Sequence, residues 1–224
     1  MAELPRLGAG LRLLLASQGV APMALKVPLL QRLGPQRAAR MAGHMAPDEL
    51  YEMIVNLPVD FLAEVTTHLD PRLILDTYLR LPETLHLDVA RELLARGYHA
   101  TAARYCECFP PVKVKMLLFG LNDPDGVLQI ARHIQNMDLI VDALRSVSVG
   151  YLCTLTEAAV RSGNVAISVR VLGGLPAQRQ ADLCAHLPPA TLKRLLPPLL
   201  KASGEALRVL LPERLREPST EPGI

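Results

Sequence analysis

Two thiols flanking one residue, Cys106-Glu107-Cys108, with His99 seven positions upstream, form the densest group of metal-ligating side chains in the sequence. A structural zinc takes about four such ligands, arranged as two close pairs. No second pair follows, so Cys106 and Cys108 read as part-buried thiols near a helix end. The six histidines (His44, His68, His86, His99, His133, His186) show no His-Glu-x-x-His spacing and read as surface residues on polar helix faces. Asp123 and Asp125, in Leu121-Asn122-Asp123-Pro124-Asp125-Gly126, invite a calcium reading. The loop lacks the further oxygen ligands and distal glutamate of such a site, and its composition predicts a turn. Ser162-Gly163 and Ser203-Gly204 read as helix-end pairs, because no G-x-S-x-G elbow occurs. Neither glycine-rich nucleotide motif is present. The expectation is therefore no cofactor and no metal. An enzyme or ligand-binder built on this chain would need a site assembled from scattered residues.

Basic side chains remain as candidates for recognition. Residues 1–45 carry Arg6, Arg12, Lys26, Arg32, Arg37 and Arg40 against Glu3 alone, whereas residues 46–140 carry fourteen acids against eight bases. Arg32, Arg37 and Arg40 can form one basic stripe, and Lys193, Arg194 and Lys201 another. Nucleic-acid binders show a more basic balance and stacking aromatics. This chain has a net charge of +2, no Trp, three Phe and five Tyr, so nucleic acid is not the expected partner. A protein partner meeting Arg32, Arg37 and Arg40 is the expected use of the charge.

The elements that must position these residues are legible in the punctuation of the chain. Leu57-Pro58, Leu69-Asp70-Pro71 and Leu81-Pro82 place leucines twelve residues apart. Phe109-Pro110 with Leu121, Leu175-Pro176 with Leu187-Pro188, and Leu199 with Leu211-Pro212 resume the step, although Pro197 and Pro198 sit out of phase. Proline suits a helix start and disfavours its interior, and the residue before it is pushed out of the helical region. Each unit is then one short helix and a tight connection. In residues 58–69, Phe61, Leu62, Val65 and Leu69 share a helical face, with Asp60, Glu64 and His68 on another. A helix so short gains stability only by burial against neighbours, so the units must stack. The predicted fold is all-α, a right-handed superhelical solenoid of short proline-initiated helices.

A longer repeat accompanies the short one. A shift of 66 residues carries Gly97 onto Gly163, Arg104 onto Arg170, Phe109-Pro110 onto Leu175-Pro176, and Leu117 and Leu121 onto Leu183 and Leu187. Both copies place a glycine where a helix should end. The reading is a duplication of 85–130 in 151–196. Residues 46–212 form the repeat domain. Residues 1–45, rich in glycine and proline, form an irregular basic N-terminal cap with short or broken helices. Residues 213–224 read as a disordered tail.

The four cysteines, Cys106, Cys108, Cys153 and Cys184, lack the spacing of a disulfide framework and suit a reduced, cytoplasmic setting. No run is long and apolar enough for a transmembrane helix. The leucines at 11 and 13–15 are interrupted by Arg12, which argues against a secretory signal.

The run from Leu57-Pro58 through Leu69-Asp70-Pro71 to Leu81-Pro82 resembles the intracellular N-terminal domain of MgtE-type magnesium transporters, and is similar to the N-terminal domain of the flagellar switch protein FliG. The resemblance covers about residues 46–85 and again 175–212. It implies a right-handed superhelix of short helices in a bacterial protein. This chain lacks the transporter's membrane segments, and the acids that sense magnesium there match no positions here. A free-standing member implies protein–protein contact, so the expected function is a non-catalytic scaffold or adaptor. A magnesium-responsive regulatory module is the alternative the resemblance raises.

Overall fold

The computed structural model describes residues 22–216. Among them are fifteen α-helices, one 3-10 turn and no strand. They divide into two compact units that meet in sequence at Phe109 and Pro110.

The first unit contains α1 (Met23–Leu33), α2 (Pro35–Ala42), α3 (Pro47–Asn56), α4 (Val59–His68), the 3-10 turn Pro71–Ile74, α5 (Leu75–Arg80), α6 (Glu83–Ala95) and α7 (His99–Cys106). Here α1 packs on α3 and α3 on α5, while α2 packs on α4 and α4 on α6. The second unit contains α8 (Pro111–Leu121), α9 (Pro124–Ala131), α10 (Met137–Leu144), α11 (Val149–Arg161), α12 (Val165–Gly173), α13 (Ala177–His186), α14 (Pro189–Leu210) and α15 (Glu213–Arg216). Again alternate helices meet: α8 with α10, α10 with α12 and α12 with α14, beside α9 with α11 and α11 with α13.

The Leu-Pro pair explains these boundaries. Leu57, Leu81 and Leu187 are extended, with ψ near 146°, 151° and 144°, because the following proline excludes the helical conformation. Each turns its side chain inward and is at least 92% buried. Pro58, Pro82 and Pro188 then stand as N-cap residues, one position before the helix proper. Their carbonyls accept the first helical N–H bonds, from Leu62 at 3.0 Å, His86 at 3.2 Å and Leu192 at 3.0 Å. A proline N-cap has no side-chain acceptor to offer, but it also presents no N–H to satisfy. Burying one such leucine contributes about 1.5–3 kcal/mol. An exposed ion pair contributes about 0–1 kcal/mol. The corners are therefore held chiefly by their leucines. The Leu69-Asp70-Pro71 variant adds a true cap, since Asp70 accepts the Arg72 backbone N–H at 3.0 Å.

Some helix bounds recur at a spacing of 66 residues. Helix starts at 83, 99 and 111 and a helix end at 95 recur 66 residues later at 149, 165, 177 and 161. Gly97 and Gly163 follow α6 and α11 with φ of 72° and 77°. Behind each glycine the same two bonds close the helix: Tyr98 N–H to Leu93 O and Gly97 N–H to Leu94 O, then Asn164 N–H to Ala159 O and Gly163 N–H to Val160 O. This is a left-handed glycine closure made twice.

Residues 23–42 form two short helices, α1 and α2, and α1 runs through Pro28. Pro28 is exposed, so the hydrogen bond its ring forgoes is lost on the solvent side. Residues 1–21 and 217–224 lie outside the described residues, while 213–216 of the expected tail are helical and Arg214 donates to Ala185 O at 3.1 Å. The twelve-residue step does not break α14 at Leu199. Pro197 and Pro198 are absorbed on its exposed side, and the backbone turns at Gly204, with φ 64° and ψ −150°.

A Cβ added at Gly97 or Gly163 meets nothing within 4 Å, so only the left-handed backbone opposes it. Gly97→Ala and Gly163→Ala should each destabilise by about 1 kcal/mol. Gly150→Ala, inside α11 with the same free space and an ordinary φ, should stabilise by about 0.5 kcal/mol. Chemical denaturation of the three variants measures the contrast.

Candidate functional site

Among the described residues, the bases of the first unit divide into two groups. Six are tied. Lys26 on α1 meets Glu49 on α3 at 2.9 Å, and Arg80 on α5 meets Asp48 on α3 at 2.9 Å. Arg96, at the end of α6, meets Glu64 on α4 at 2.5 Å and Glu92 at 2.6 Å. Arg91 pairs with Asp88 within α6, and Arg72 chelates Asp70 through Nε and Nη2. Arg104 donates from Nη2 to Thr66 O at 2.8 Å, capping the C-terminal end of α4. The remaining three are Arg32, Arg37 and Arg40. All are exposed, and none has an ion-pair partner among the described residues.

The sequence places these three as it does for simple reasons. Arg32 and Arg40 stand in the last turns of α1 and α2, where a cation complements the helix dipole. Arg37 and Arg40 are three apart on α2, and Ala38, Ala39, Met41 and Ala42 form its buried face. Beside them α1 exposes Leu25 at 66% and Leu29 at 44%. With Arg32 these leucines fall at i, i+4 and i+7, one stripe of a helix. The leucines were the part of this surface that charge counting missed.

The second basic group is not one surface. Lys193 and Lys201 are exposed on α14, but Arg194 donates to Val160 O at 2.7 Å, at the end of α11. Further donors do the same. Tyr151 Oη binds Leu118 O at 2.8 Å, Tyr105 Oη binds Leu69 O at 3.2 Å, and Arg179 binds Val147 O. Helix ends leave carbonyl groups without helical partners, and these long side chains satisfy them from a later helix.

Cys106 and Cys108 are half-buried at the end of α7, and no thiol of the chain is in a disulfide. Burial pushes the Cys106 thiol up to about 12 and Cys184 up to about 11, and raises Cys108 and Cys153 in the same direction. Such thiols hold their protons at neutral pH and are poor nucleophiles. No cluster of three His, Cys, Asp or Glu that could hold a metal occurs among the described residues. Asp123 caps α9 by accepting the Gly126 N–H at 2.9 Å, and Asp125 pairs with Arg161 at 3.1 Å. His86 corrects the surface reading of the histidines. It is 7% exposed, and its ring packs edge-on against Tyr78 and Phe109 at centroid distances of 4.8 Å. Tyr105 completes the cluster at 5.3 Å from Tyr78. His44, His68, His133 and His186 are exposed, and His99 is half-buried. Among the described residues no helix is long and apolar enough to cross a membrane.

No protein-family model, no curated protein and no solved structure matches the chain.

The raised thiols give a pH dependence whose sign is fixed. Below about 9, the ordinary thiol value, Cys106 and Cys184 are neutral both folded and unfolded, and their burial stabilises fully. As pH rises from there through about 11 and 12, only the unfolded chain ionises freely, so stability falls. Melting temperatures should decline above pH 9 and decline less steeply in a Cys106→Ala, Cys184→Ala variant. Thermal melts by circular dichroism between neutral pH and about 11 read this out.

Proposed function

We propose that the chain is a non-catalytic helical-repeat scaffold, an adaptor that docks another protein at the surface carrying Arg32, Arg37 and Arg40. Its short helices wind into a right-handed superhelical solenoid whose second half repeats part of the first at a distance of 66 residues. The packing of alternate helices within each unit supports the winding. The recurrence of helix bounds and glycine closures supports the duplication. Four thiols outside any disulfide suit a cytoplasmic setting.

One observation carries the functional reading. Every other described lysine or arginine of the first unit is engaged with a carboxylate or a carbonyl, whereas Arg32, Arg37 and Arg40 stand exposed on two helices that pack on one another. Stability within the unit does not draw on these three guanidinium groups as it does on the other bases. Clustered charge of one sign steers an oppositely charged partner and raises its association rate.

The test is charge reversal. The chain with Arg32→Glu, Arg37→Glu and Arg40→Glu should melt within a few degrees of the parent, because the replaced side chains are exposed. Used as bait in a cell extract, it should lose the proteins that the parent captures. Capture of the same proteins in the same yield would remove this surface from consideration.

A further inference from the structure

Four of the stacked helix pairs share one contact chemistry. Where α1 meets α3, α3 meets α5, α4 meets α6 and α9 meets α11, a base on one helix reaches an acid on the other beside buried apolar side chains. The pairs are Lys26–Glu49, Arg80–Asp48, Arg96–Glu64 and Arg161–Asp125. Apolar burial supplies the adhesion, and the ion pair fixes the register.

One flank of α1 carries half of such a contact. Lys26 is engaged with Glu49 on α3, and Leu30 is buried. One position back, about 100° round the helix, lie Leu25 and Leu29, with Arg32 one turn further on. Leucines and a base are present on this flank, and the carboxylate is missing. Resting on the docking surface proposed above, we propose that the flank receives a short amphipathic helix of a partner protein, with leucines on one stripe and carboxylates beside them. The partner helix packs on Leu25 and Leu29, and its acids meet Arg32 and the neighbouring Arg37 and Arg40.

Two other occupants fit the charges less well. An anionic membrane surface would also attract the arginines. It would bring the same negative field to Glu52, exposed on α3, the helix against which α1 packs. A peptide places its carboxylates point by point and avoids that repulsion. The chain's own residues 1–21 hold one acid, Glu3, against Arg6 and Arg12, and so cannot neutralise the three arginines.

The experiment uses the full chain and a fluorescein-labelled synthetic helix of about four turns, with leucines on one stripe flanked by glutamates, and a twin flanked by lysines. Fluorescence anisotropy should show the glutamate peptide binding at least about tenfold more tightly than its twin. Arg32→Glu should erase or invert that preference, and Leu29→Asp should abolish binding of both peptides, with helical content unchanged by circular dichroism. Equal binding of the two peptides, or indifference to Arg32→Glu, overturns the proposal. So does Arg32-dependent sedimentation with phosphatidylglycerol vesicles without peptide discrimination, which would assign the flank to lipid. A photo-crosslinker replacing Leu25 should join the added peptide. Crosslinking to residues 1–21 with no peptide present also overturns it. If captured proteins are lost on triple charge reversal while the peptides are not told apart, the arginine surface stands and the helical acidic partner falls. If neither responds, both readings fall.

Discussion

A proline nitrogen carries no hydrogen, and its ring forces the residue before it out of the helical region. The rest of this structure depends on that constraint. At Leu57-Pro58, Leu81-Pro82 and Leu187-Pro188 one helix ends, the leucine extends, and the next helix begins one residue after the proline. An extended residue between two helices points its side chain across the layer instead of along either helix. Leu57, Leu81 and Leu187 use that direction to reach the interior. Chain reversal and core anchoring are thus the same event. Short helices, unstable alone, become stable because such corners pin their ends in apolar surroundings.

Polar interactions act on what the corners leave unfinished. Short helices are mostly ends, and ends carry carbonyl groups that no helical N–H reaches. Arginine and tyrosine side chains of later helices fill that need at Thr66, Leu118, Val160 and Ala185. In the first unit a lysine or arginine is structural by habit. Arg32, Arg37 and Arg40, which are not so engaged, stand out there, and a modest net charge conceals them.

Much of the architecture was legible before any coordinates. The twelve-residue step locates the starts of α4, the 3-10 turn, α6 and α14, because at these corners the local geometry of proline and leucine agrees with the packing. The glycines at 97 and 163 announced their helix ends for the same reason. Legibility failed where tertiary surroundings outvoted local preference. Pro28, Pro197 and Pro198 lie inside helices because their lost bonds face solvent, and Gly204 took over the turn expected at Leu199. His86 was misplaced because helical spacing gives its face but not the aromatic rings waiting there. Of the candidate site, the arginines were visible as an imbalance of charge. Their lack of partners was not, since it emerges only once Asp48, Glu49 and Glu64 are seen to be taken by other bases. Leu25 and Leu29 stand out in no sequence pattern, and nothing in their spacing says that no described helix would cover them.

Three of the carbonyl ties, at Thr66, Leu118 and Val160, place the acceptor first and the donor 33 to 38 residues later, whereas Tyr78 donates forward to Tyr105 O. A polypeptide leaving the ribosome therefore shows those three helix ends before the side chains that reach them have been made. The carbonyl of Val160, which the Gly163 N–H already meets, gains its second donor only when Arg194 emerges. Growth of the nascent chain keeps finishing work already begun upstream, and a truncation injures a helix well ahead of the cut.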